Sequence, residues 1–181
     1  DYQHTLEPKL SIGKSIFAFE FTPTLNFKCQ QLDYHKRNLP DLSLKREYRY
    51  WAIEALFRVR SSPLGSLLAR FHSTPNIPSI HSFVSYPDKT DPQYIVMGNE
   101  NLTMGRSNTL VAWYWRNFVQ DGEKGKLTRT LSAHLLYSRQ QNDVANFTTY
   151  NRKTGVVTIQ PVNVSGNWNG KANIGFSSPI D

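Results

Sequence analysis

Cysteine is nearly absent: Cys29 is the only one among 181 residues. An intramolecular disulfide is excluded, and so is a cysteine-rich zinc centre. The count favours a reducing compartment over a disulfide-stapled secreted scaffold. Long apolar runs are missing too. No stretch reaches the length of about 18 residues that a membrane-spanning helix needs, so no membrane partner is expected. No signal-peptide pattern stands at the start, which reads DYQHTLEPKL without a methionine, as in a trimmed chain. Acidic side chains are scarce, 14 against 21 Lys and Arg. Asp33, Asp41, Asp88, Asp91, Glu100, Asp121, Glu123 and Asp143 are scattered, mostly in predicted loops, where solubility is their plainest role. A calcium ion held by several such oxygens between subunits is the sharper reading.

Catalytic signatures are lacking as well. None of His4, His35, His72, His81 and His134 stands at metal-ligand spacing from another. The HEXXH motif, the G-x-S-x-G elbow, the phosphate-binding loop and the dinucleotide fingerprint do not occur. An enzyme is therefore not expected. Three N-x-S/T triplets begin at Asn101, Asn146 and Asn163, no more than a chain rich in Asn, Ser and Thr produces by chance.

What is present points to β structure. Aromatics make up 13% of the chain, and ten glycines and ten prolines supply turns for many short strands. The length suits one domain. The net charge of +7 favours polyanions as partners, although an ordinary basic protein also carries such a charge. Eight of the 21 basic residues lie in the first 49: Lys9, Lys14, Lys28, Lys36, Arg37, Lys45, Arg46 and Arg49. They are the candidate RNA-binding set, since each phosphate such a group neutralises adds salt-dependent affinity.

Period-two alternation recurs along the chain. SIFAFEF (15–21) puts Phe17, Phe19 and Phe21 on one side. Residues 49–59 put Trp51, Ile53, Ala55, Phe57 and Val59 on one face and a mixed set on the other. With SSPLG as a breaker and SLLARFH beyond it, residues 47–74 read as strand, loop and strand, with Trp51 and Phe57 expected in the core. Residues 30–45 read as a polar connection, SIHSFVSY as a short helix, and PQYIVMG as a strand. NTLVAWYWRNF is apolar on both faces and is expected to be a central, doubly covered strand. Its Trp113 and Trp115 offer a stacking platform for bases only if they are not buried there. LTRTLSAHLLYS alternates, with His134 on its Thr/Ser face. NFTTYNRKTGVVTIQPVNV reads as a hairpin, and residues 166–181 as an extended tail. No linker splits the chain. The pattern predicts an antiparallel sandwich, jelly roll or barrel with up to three short helices.

The order GKSIFAFEFTP, polar connection, REYRYWAIEALFRV, Ser/Pro loop, GSLLARFHSTP and SIHSFVSY resembles the coat proteins of small icosahedral RNA viruses of plants, of the sobemovirus and luteovirus type. Glu47 and Tyr48, Gly65 and Ser66, Pro75 and the segment 79–86 occupy the matching places, within about residues 12–86. The resemblance implies a single eight-stranded antiparallel jelly-roll shell domain over residues 1–181. It implies self-assembly into an icosahedral shell around viral genomic RNA, and hence a place in the virion and, during assembly, the host cytoplasm. It also implies an arginine-rich arm ahead of the shell, of which residues 1–11 would be a remnant, and in parts of the family calcium at subunit interfaces. The alternative, of a different class, is a secreted or intracellular β-sandwich lectin-like module using Trp168 or the 113–115 aromatics.

Overall fold

The computed structural model describes residues 2–14, 17–36, 39–61, 64–84, 88–91, 93–122 and 125–179. The alternating segments become β1 (Tyr2–Leu6), β2 (Leu10–Lys14), β3 (Phe17–Lys36), β4 (Leu39–Ser61) and β5 (Gly65–Asn76). A one-turn helix α1 (Ile80–Phe83) follows, then β6 (Asp88–Asp91) and β7 (Tyr94–Val96). The second half supplies β8 (Gly105–Gly122), β9 (Gly125–Gln141), β10 (Asp143–Tyr150), β11 (Val157–Val164) and β12 (Trp168–Ser177). The all-β, antiparallel class read from the alternation holds, and so do the short helix and the β10–β11 hairpin.

Eight strands form the main sheet, in the order β1-β3-β4-β5-β8-β9-β12, with β2 also on β3. Strands β10, β11, β7 and β6 form a second, smaller sheet. The main sheet is a meander, because chain neighbours joined by short turns pair locally. The β5–β8 and β9–β12 connections run through the small sheet, and among the described residues the strand order shows no Greek-key crossover of the jelly-roll kind. Residues 30–45 are not a connection: β3 and β4 continue as a long hairpin, with Asp33 opposite Lys45. Ladder pairing overrides the weak strand propensity of these polar residues. Residues 2–6 and 10–14 pair with β3, and most of the tail becomes the edge strand β12.

The register sorts the side chains of the main sheet onto two faces, since residues directly opposite one another point the same way. One row reads Phe21, Phe57, Ala69, Ala112, Leu135, Ala172, with Leu10 opposite Phe21. The next reads Phe19, Val59, Leu67, Tyr114, Ala133, Ile174. On the other side lie Pro23, Ala55, Phe71, Leu110, Tyr137 and Gly170. These three rows contain no charge. Phe19 and Phe57 meet edge to face at 5.1 Å, and the Tyr114 hydroxyl donates to the Leu64 carbonyl at 2.8 Å.

None of the described residues covers this face. Trp51 is 52% exposed and Ile174 82%, so the sandwich core expected around Trp51 and Phe57 is a half-open surface instead. The fully buried apolar residues among those described are Phe83 and Leu102. They sit where α1 and residues 97–104 fasten the small sheet to the large one. There the Asn99 amide donates to the Ser82 carbonyl at 2.8 Å, and the Asn99 side chain to the Pro161 carbonyl at 2.8 Å. Asn163 accepts from the Thr103 amide and donates to the carbonyls of Thr103 and Asn142. That side chain, part of an N-x-S triplet, is fully engaged in structure. The Arg46 guanidinium lies 4.5 Å over the Phe83 ring and donates to the Glu100 carbonyl.

Candidate nucleic-acid interface

The opposite face of the main sheet is polar, cationic and aromatic. Alternation along β4 places Arg58 and Arg60 there, and the register sets Arg58 opposite Leu68 and Arg60 opposite Ser66 on β5. Those two residues in turn face Trp113 and Trp115 on β8. Trp113 faces His134 on β9, and the two rings stack at 5.5 Å with 27° between their planes. Arg70 lies one row away, next to Val111, and Lys171 ends that row on β12. Trp113 and Trp115 are 38% and 39% exposed. The strand is central, as its composition predicted, but it is not covered on both sides. Among the described residues no second sheet lies over it, and its Trp faces look outward.

Two carboxylates temper the charge. Glu20 is bridged by Lys9 at 2.9 Å and by Arg58 at 3.2 Å. Glu54 is bridged by Arg70 at 2.9 Å. Lys9 and its hydrogen bond hold the Glu20 carboxyl below its ordinary range, and the fields of Arg58 and Arg60 add to that. Five cations, Lys9, Arg58, Arg60, Arg70 and Lys171, thus surround two indole platforms and face two acids. Cations that can neutralise phosphates, set beside exposed indoles on which bases can stack, are the general requirement for holding a single nucleic-acid strand.

Of the candidate set taken from the first 49 residues, Lys9 joins this patch, and the other described members stand elsewhere. Lys28 and Arg46 lie on the cationic face, at the end away from the tryptophans, and Arg46 is committed to Phe83 and Glu100. Lys45 and Arg49 project from the other face, and Arg49 is paired with Glu47 at 2.7 Å. Lys9 lies between β1 and β2. Lys14 ends β2 and Lys36 ends β3; their side chains, and the whole of Arg37, lie outside the described residues. Arg58, Arg60, Arg70 and Lys171 make up the rest of the patch. Their signal in the sequence was the even-numbered, mixed face of residues 49–59, but Arg70 and Lys171 join it only through cross-strand register. Among the described residues no three His, Cys, Asp or Glu side chains come together as a metal site; Glu123 and the side chains of Asp41, Asp88, Asp91 and Asp121 lie outside them. Likewise, no helix among them is long and apolar enough to cross a membrane.

Comparison of the chain with protein-family models, with curated proteins and with solved structures finds no match.

Proposed function

We propose that this chain is a structural coat subunit that self-assembles into a closed shell and packages RNA. One observation carries the reading: a single sheet divides into an uncovered apolar face and a cationic, tryptophan-bearing face. The first needs protein against it and the second suits a polyanion. A shell protein needs both and needs no catalytic centre. The sequence resemblance to plant-virus coat proteins points the same way, and under it the partners are further copies of the chain and genomic RNA. Size-exclusion chromatography with light scattering, with protein and nucleic-acid absorbance read together, tests it. Uniform particles far above the 20.8 kDa of one chain, carrying nucleic acid, are expected. A nucleic-acid-free monomer at high concentration would sink the reading.

A second reading has its own observation. Trp168 is 71% exposed, stacks on Tyr137 at 6.4 Å, and stands beside Ser138, Gln140, Asn167 and Asn169 around a shallow cleft. An exposed indole ringed by amides suits a sugar ring. In a binding module of this kind, glycan-array signals disappear in Trp168→Ala; an array without signal for the wild type removes the reading.

A further inference from the structure

We infer that the apolar face of the main sheet is closed by the same face of a second copy, so that the two-layer sandwich exists only in the dimer. This rests on the reading of the chain as a self-assembling subunit and names the contact that the assembly starts from.

A compact monomer of this mass exposes about 8,900 Å². This chain exposes 12,911 Å². The excess, about 4,000 Å², is surface that a compact fold of this size has already buried. Obligate homodimers bury roughly 2,000–5,000 Å² counted over both copies. Seven strands about 4.8 Å apart and three charge-free rows about 6.7 Å apart give a flat patch of about 600–700 Å². That is at or beyond the largest apolar patch, about 300–600 Å², found on ordinary monomers.

The layout of the face is that of an interface. Its centre is charge-free and mixes small residues (Ala69, Ala112, Ala172) with large ones (Phe57, Leu135), which lets two such surfaces interdigitate at the roughly 10 Å spacing of packed sheets. Charges appear only beyond the central rows: Asp33, Lys45, Glu47, Arg49, Arg106 and Arg139 at one end, Arg116 and Arg129 at the other. An apolar centre with a polar rim is the common anatomy of protein–protein contacts. A nucleic acid does not fit here, since the centre offers no cation. A second copy fits because it presents the same charge-free centre and the same unburied area, and a contact between identical patches closes on itself.

High salt separates the two faces. Nuclease-treated protein in about 1 M salt should shed RNA, because phosphate contacts weaken steeply with ionic strength. The apolar contact should persist there, its like-charged rims screened. Sedimentation should then give a dimer or an even multiple, and a monomer would overturn the inference. Ala112→Asp and Leu135→Asp, in the centre of the face, should leave a folded monomer by circular dichroism, whereas Ser132→Asp on the opposite face should stay dimeric. A folded Ala112→Asp protein that still dimerises overturns the inference. Should both variants fail to fold, radical footprinting of the wild type decides. Phe57, Phe71 and Tyr137 should be protected at high concentration and labelled on dilution, with Trp113 labelled in both. Equal labelling of Phe57 at both concentrations overturns it. A nucleic-acid-free dimer with no larger species would instead sink the shell reading while leaving this contact standing.

Discussion

Trp113 and Trp115 are the side chains whose loss should be most informative. Their indoles are about two-fifths exposed on a face with five cations. If bases stack on them, Trp113→Ala should weaken single-stranded RNA binding by about 1–3 kcal/mol, roughly five- to 150-fold. Fold and mass should stay as in the wild type, and fluorescence anisotropy titration measures the change. Arg60→Ala should act differently. It should flatten the salt dependence of binding, by about 0.7 in log–log slope for one lost phosphate on a single strand. Glu20 sets a pH response. Its folded-state value is depressed, first by Lys9, so its contribution to stability is present above the ordinary carboxylate range and is lost as pH falls through the depressed value. Over the same interval its negative charge disappears, freeing Lys9 and Arg58. Polyanion affinity should therefore rise on acidification. Glu20→Gln should bind more tightly at neutral pH and lose that step; a binding curve unchanged by the substitution would remove Glu20 from the interface.

At the scale of elements, the joint between the sheets is the tightest part of the chain. Gly98 is buried, and a Cβ there would run into the backbone of Val84. Gly98→Ala should therefore cost about 1–3 kcal/mol by overpacking, and hydrogen exchange should rise at the Met97 and Asn99 amides, which bond to Ile159 and Ser82. Phe83→Ala should cost about 3–5 kcal/mol, more than Trp51→Ala, since Phe83 is fully buried and Trp51 is half-exposed in the single chain. Chemical denaturation ranks the two. The strands themselves were legible, because period-two alternation is written locally in SIFAFEF, WAIEALF and LTRTLSAHLLY. The α1 turn was legible from the proline-bounded segment around it. The joint was not: Phe83 and Leu102 gain their burial from Arg46 and from the β11 region, dozens of residues away. The cationic patch was half legible. Alternation put Arg58 and Arg60 on one side, but Arg70 and Lys171 arrive by register, which no local pattern fixes. The long β3–β4 hairpin was missed because polar residues on an uncovered sheet carry no apolar signal.

The described residues form two broad faces and enclose almost no core, which ties folding to association. A chain that buries little by itself gains its remaining apolar burial only from neighbours, so mass action should appear in its stability. Sheet edges, among them β12 and the side of β1 and β2, add further surface that a neighbour can pair with, and residues of β12 are exposed throughout. If the apolar face closes in the dimer, the thermal midpoint should climb with protein concentration, and a hundredfold dilution should lower it measurably. Nucleic acid should raise it further at low salt and lose that effect at high salt, because its contribution runs through screened phosphate contacts. The dependence on protein concentration should survive the salt. A midpoint constant across that dilution at high salt, with the mass falling from dimer to monomer, would mean that the sheet is stable with its apolar face open to water. Folding and assembly would then be separate events.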